Sequence, residues 1–184
     1  IFSLSKGEWI FRQGDEARFY YQVISGKVKM SNFSNQGQEF IQGLFSEGQS
    51  FGEPPLLADL VYPASALAAE DCKLYKLGKQ KFLDLLLNEP KIAIAVSEAL
   101  ARRLHYKAVM ASEISSYDPE HRILTLLRYL KEELHPGSTS IHPVDLTRQQ
   151  IADMTGLRVE TVIRSIKKME KDQVLTIKGR KVYL

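Results

Sequence analysis

Leu146-Thr147-Arg148-Gln149-Gln150-Ile151-Ala152-Asp153-Met154-Thr155-Gly156-Leu157-Arg158-Val159-Glu160-Thr161-Val162-Ile163-Arg164 is the stretch on which the reading of this chain turns. Thr147 to Met154 reads as a short helix, Thr155-Gly156-Leu157 as a tight turn and Val159 to Lys171 as a second helix. Gly156 supplies the positive φ that such a turn asks for, and Ala152 lets the two helices approach closely. Ile151, Ala152, Leu157, Val162 and Ile166 are the candidate core of the pair. If Val162 and Ile166 face that core, Arg158, Glu160, Thr161 and Arg164 point outward from the first turns of the second helix. Arginine reads guanine O6 and N7, and glutamate accepts from cytosine N4, when such a helix lies in a major groove. The bland alternative is a surface helical hairpin with ordinary charges.

Charge sharpens this reading. Net charge is +3, yet residues 1–115 carry 13 Lys and Arg against 13 Asp and Glu. Residues 145–184 carry nine basic residues against five acids, so the excess sits in the last 40 residues. Such a segment is either a solvated helix face or a polyanion-binding surface. The chain ends in Val174 to Leu184, a hairpin turning at Lys178-Gly179-Arg180. Thr147, Arg148, Lys178, Arg180 and Lys181 are therefore the candidate phosphate contacts, with Arg158, Val159, Glu160, Thr161 and Arg164 as candidate base readers.

Upstream, Asp118-Pro119-Glu120 announces another helix, with an N-cap, Pro at the first position and an acid in the first turn. Its apolar stripe is Ile123, Leu126, Leu127, Leu130 and Leu134, and Ser140 to Val144 is a candidate short strand. Before it lies a longer helix, begun by Asn88-Glu89-Pro90 and carrying Ile92, Val96, Leu100 and Leu104 at four-residue intervals. At 1.5 Å per residue it runs about 35 Å, too long to bury its stripe against one small domain. It is an interdomain strut or, with no later segment to partner it, a helix that packs on its copy in a second subunit.

Residues 1–82 read as strands punctuated by turns. Phe19-Tyr20-Tyr21-Gln22-Val23-Ile24 is aromatic and β-branched, and Lys27-Val28-Lys29-Met30-Ser31 alternates polar with apolar. Glycines at 7, 14, 26, 37, 43, 48 and 52 punctuate the segment at the spacing of a β-sandwich or barrel. Lys79 to Leu87 then reads as a short helix.

The exclusions are equally plain. The chain has 184 residues, 44% hydrophobic and 26% charged, as an ordinary folded protein has. No apolar run reaches the roughly 20 residues of a membrane span. It opens on Ile1 without a signal-peptide pattern, and its natural start is expected upstream. The one cysteine, Cys72, makes no internal disulfide, and a reducing, cytoplasmic location is expected. His105, His121, His135 and His142 lack metal-ligand spacing, and no nucleophile–base arrangement is visible. No catalytic residue, metal or cofactor is expected, and the protein is not read as an enzyme.

The chain resembles the cyclic-AMP receptor protein/FNR family of transcription regulators. Lys6-Gly7-Glu8-Trp9-Ile10-Phe11-Arg12-Gln13-Gly14-Asp15, Tyr20 to Lys29 and Phe51-Gly52-Glu53 are similar to a cyclic-nucleotide-binding β-roll. Leu100-Ala101-Arg102-Arg103-Leu104 matches the long dimer helix, and the opening stretch matches the winged helix-turn-helix. The resemblance implies an α+β fold with a β-roll effector domain at 1–88, a dimerisation helix at 89–115 and a DNA-binding winged helix-turn-helix at 116–184. It also implies a homodimer on double-stranded palindromic DNA, with RNA polymerase as a further partner.

Departures from the family decide the effector. Nucleotide-binding members follow Gly-Glu, here Gly52-Glu53, with an Arg-Ser pair that grips the cyclic phosphate. Those two positions fall on Tyr62 and Pro63. The adenine-reading Thr-Ser pair falls on Lys107 and Ala108. Burying a phosphate without a cation or donors is costly, so cyclic AMP is not the expected effector. The alternative is a sensor of a cyclic nucleotide or other small anion in which Lys107 replaces the lost arginine. Val159 stands where the family's recognition helix carries arginine, so a different operator, with Val159 against a thymine methyl, is expected.

Overall fold

In the computed structural model, which describes residues 1–34, 37, 39–116, 118–179 and 181–184 (backbone alone for 114–116), period-two runs become strands and period-3.6 runs become helices. The chain divides into two compact units, 1–101 and 102–184.

The first unit holds β1 (Phe2–Leu4), β2 (Trp9–Phe11), β3 (Phe19–Ser25), β4 (Val28–Phe33), β5 (Glu39–Phe45), β6 (Ser50–Phe51), α1 (Glu53–Leu57), β7 (Ser65–Ala68), β8 (Cys72–Gly78) and α2 (Lys79–Asn88). The strands form two antiparallel four-stranded sheets, ordered β1-β8-β3-β6 and β2-β7-β4-β5. In β8, Cys72 and Leu74 turn inward while Lys73 and Tyr75 turn out. Ala66 and Ala68 of β7 are wholly buried, along with Val23, Val28 and Phe51 from other strands. Gly26 (φ 83°) permits the turn after β3, since a Cβ there would lie 2.3 Å from the Asp71 carbonyl oxygen. Phe82 of α2 stacks on Tyr20 at 4.6 Å. The sequence reading did not anticipate α1. Pro54-Pro55 looks like a helix breaker, but here it occupies the first turn, where proline is tolerated.

The division between units falls within α3 (Pro90–Ser116), after Ala101. The predicted apolar stripe of this helix is not one face. Val96 packs against the core of its own β-sheet unit. Leu100 is half-buried, while Ile92 and Leu104 are exposed, Leu104 by 70%. Ile94, absent from that stripe, is exposed as well.

The second unit continues with α4 (Pro119–Leu134), β9 (Pro143–Val144), α5 (Arg148–Thr155), α6 (Val159–Lys171), β10 (Thr176–Lys178) and β11 (Lys181–Tyr183). Asp118 caps α4, its carboxylate accepting from the His121 N–H at 2.9 Å. Ile123, Leu126 and Leu127 are fully buried, but Leu134 is exposed, because the packed stripe ends a turn before the helix does. The strand expected over Ser140 to Val144 is only Pro143–Val144, paired with β11 in a small antiparallel sheet ordered β10-β11-β9. At the joint from α3 to α4, Glu113 is buried. Its Oε1 lies 3.0 Å from His121 Nε2 and accepts from the Thr125 hydroxyl at 2.9 Å. Tyr106 of α3 stacks on Tyr129 of α4 at 3.8 Å. Partial burial pushes the Tyr129 phenol up to about 12.

Candidate functional site

Helix α5 starts on a complete capping box. Thr147 Oγ1 accepts from the Gln150 N–H at 3.1 Å, and Gln150 Oε1 accepts from the Thr147 N–H at 2.9 Å. The helix ends at Gly156, in the left-handed conformation (φ 67°) that turns the chain into α6. Thr155, at the end of α5, is wholly buried and returns its hydroxyl to the Ile151 carbonyl at 2.6 Å. Ile151 and Ala152 of α5, with Val162, Ile166 and Met169 of α6, make the packed side of the helix pair.

That packing fixes what α6 presents to solvent. Glu160, Ile163, Arg164, Lys167 and Lys171 are exposed along one side, opposite the buried Val162, Ser165, Ile166 and Met169. Val159 and Thr161 are half-buried at the flanks. Arg158 is exposed but is the N-cap, with extended backbone (φ −76°, ψ 145°), rather than a member of the first helical turn. Among the described residues, Arg158, Arg164 and Lys167 make no side-chain hydrogen bond or ion pair. Lys168, by contrast, is held by Glu120 of α4 at 2.8 Å. The sequence reading passed over Ile163 and Lys167. Their signal was available: both lie three or four residues from a position assigned to the outward face.

The small sheet supplies further cations. Lys181 pairs with Asp145 at 3.3 Å, with both side chains about half exposed. The Lys178 ammonium lies 5.4 Å from the centre of the Tyr183 ring. Arg180 lies outside the described residues. Arg148 is half-buried, with Nη1 enclosed and without a hydrogen-bond partner among the described residues. Burial lowers its pKa, and Glu170 partly offsets this.

In the first unit, Gly52 packs closely against Tyr62. A Cβ on Gly52 (φ 91°) would meet the Phe19 carbonyl at 3.1 Å and the Tyr62 ring at 3.7 Å. Tyr62 is 3% exposed, and its ring stacks on Phe11 at 3.7 Å with 7° between the planes. Its hydroxyl donates to the Phe19 carbonyl at 2.9 Å. Burial raises the pKa of this phenol, so it stays a neutral donor. Glu53 is buried at the start of α1 and accepts from the Ser50 hydroxyl. Pro63 is exposed, and its carbonyl accepts from Asn32 Nδ2 at 2.7 Å. Lys107 is a surface residue of α3 in the second unit. Partial desolvation, then Arg103, lowers its pKa. Among the described residues no cluster of three metal-ligating side chains exists, and no helix is long and apolar enough to cross a membrane.

Comparison with known proteins agrees with this layout. Residues 1–89 match the profile of the cyclic nucleotide-binding domain, and 121–184 match the Crp-like helix-turn-helix domain. The chain is 31% identical over 173 residues to the cyclic AMP receptor protein of Thermus thermophilus, covering 94% of this chain and 77% of that protein. The solved structure of the c-di-GMP responsive global regulator CLP of Xanthomonas campestris superposes with a TM-score of 0.75 at 26% identity. That match covers 100% of this chain and 92% of the other. FixK2 of Bradyrhizobium japonicum shares the fold, with a TM-score of 0.83 at 21% identity over 100% and 90% of the two chains. Two domain matches in this order and a relative at this identity place the chain in the cyclic-AMP receptor protein/FNR family of DNA-binding transcription regulators.

Proposed function

We propose that the protein is a homodimer that reads a two-fold palindromic operator through α6 and answers to something other than cyclic AMP. The observation that carries the DNA-reading part is the outward side of α6, where Glu160, Arg164 and Lys167 stand exposed opposite a sealed apolar side. Arg158, Val159, Glu160, Thr161 and Arg164 read bases. Thr147, Lys178, Arg180 and Lys181 hold phosphates. Arg148 does so only through the part of its guanidinium that is not enclosed. The division of labour follows residues 1–88 as effector domain, 89–115 as dimerisation helix and 116–184 as DNA reader. The partners are a second copy, double-stranded DNA and, by family resemblance, RNA polymerase, in the cytoplasm.

Selection from random DNA tests this reading. A palindrome with half-sites about 10 base pairs apart is expected. Glu160→Ala or Arg164→Ala relaxes the preference at particular base pairs by about 1–3 kcal/mol. Lys178→Ala weakens all sequences alike and lowers the salt slope by about one unit. Enrichment of no palindrome, or unchanged base preference in Glu160→Ala, overturns the assignment.

The effector part rests on Tyr62. A neutral phenol, already donating to a backbone carbonyl and stacked on Phe11, stands where nucleotide binders place the cation. Glu53 serves the fold through Ser50. Calorimetry with millimolar cyclic AMP is expected to give little or no heat. Micromolar binding with competition by ribose-bearing nucleotides would instead favour the second reading, a nucleotide or small-anion sensor with Lys107 as its cation.

A further inference from the structure

We propose that Ile163 is a specificity-determining residue, reading a thymine methyl group in the operator; this rests on α6 being the DNA-reading helix. Ile163 is 39% exposed, a large apolar side chain on a face otherwise made of Glu160, Arg164, Lys167 and Lys171. It has no place in the core, which α6 meets through Val162, Ser165, Ile166 and Met169. It follows Glu160 by three residues and Val159 by four, so it stands beside both on the helix surface. The outward side of α6 is thus two-toned. Glu160 and Arg164 form a polar edge, and Val159 and Ile163 form an apolar one.

The major groove offers donors and acceptors from every base pair, but only one apolar feature, the C5-methyl of thymine. An isoleucine delivered there has no polar edge to satisfy, and it desolvates any polar base edge set against it at a cost. Its β-branched side chain is held close to one χ1 rotamer in a helix, so little freedom is lost on contact. Ile163 therefore favours thymine twice, by contact with the methyl and by the penalty on the alternatives.

The experiment separates this inference from the reading beneath it. An operator is first selected from random DNA with the unaltered protein. Each thymine of the selected site is then replaced in turn by uracil, which removes the methyl and leaves the hydrogen-bonding edge unchanged. At one thymine per half-site, binding is expected to weaken about fourfold, and about fifteenfold when both half-sites are changed, as loss of one buried methyl implies. In Ile163→Ser that sensitivity disappears while sensitivities at other thymines persist, and Ile163→Val retains it. A flat uracil scan with the unaltered protein overturns the proposal without any variant. So does a scan whose profile is the same in Ile163→Ser. If the unaltered protein enriches no palindrome, the DNA-reading assignment fails, and this inference fails with it. A palindrome indifferent to residue 163 removes this inference alone.

Discussion

Leu100→Glu combined with Leu104→Glu is expected to give a folded monomer of 20.9 kDa by light scattering, where the unaltered protein gives about twice that mass. The monomer should lose its operator affinity by on the order of a thousandfold or more, since one half-site contributes little beyond general attraction to the backbone. The argument starts from exposure. Leu104 is 70% exposed, and Ile92 and Ile94 are exposed on the same helix. On the proposed reading a second copy of the helix covers Leu104, while Ile92 lies about 120° round the axis from it. Leu104 carries the cleaner half of the test, because Leu100 is half-buried within its own chain. Thermal melting of Leu104→Glu alone distinguishes a lost interface from a lost fold. A dimer that survives both changes removes α3 as the interface.

Tyr62→Ala is the other large effect, and it falls on stability. Removing a buried aromatic ring from a packed core costs about 3–5 kcal/mol, out of a total of roughly 5–15. Tyr62→Phe keeps the stack on Phe11 and gives up the hydroxyl's hydrogen bonds, the donation to the Phe19 carbonyl foremost, at about 1 kcal/mol. The informative variant is Tyr62→Arg, which places the family's phosphate-gripping residue at its aligned position. It is expected to destabilise at least as much as Tyr62→Ala, because a guanidinium is pushed into an aromatic core beside Phe11 and must give up its water there. Urea unfolding of the three variants orders them. A stable Tyr62→Arg protein that binds cyclic AMP would show that the aromatic core is a removable plug rather than structure.

Much of the second unit was legible because its signals are local. Asp118-Pro119 and Gly156 each act within four residues, and each does in the structure what its type predicts. The first unit was legible as strands and turns, but the role of Tyr62 was not. Alignment placed it at the phosphate position, whereas its contacts are with Phe11 and Phe19, some 50 and 40 residues away in sequence. The stripe on α3 misled for a geometric reason. Four residues turn an α-helix by about 400°, so a strict four-residue spacing winds some 40° per step. Ile92 and Leu104 are then about 120° apart, and Val96 falls toward the β-sheet core. Ile163 went unnoticed because the eye follows charges on a recognition helix, and its meaning depends on which neighbours are sealed inside.

If the protein reads its operator as a dimer through α6, as proposed, the fastening at Glu113 has a bearing on which DNA it accepts. Glu113, His121 and Thr125, with the Tyr106–Tyr129 stack, bind the last turns of α3 to α4, and α4 in turn is tied to α6 through Glu120 and Lys168. Those turns of α3 therefore belong mechanically to the reading head. In a dimer built on α3, the gap between the two reading heads is set where the paired helices diverge, not by the side chains that touch bases. Sequence preference and site length are then tuned at separate places: α6 decides the letters, and the α3–α4 joint decides how far apart the two words stand.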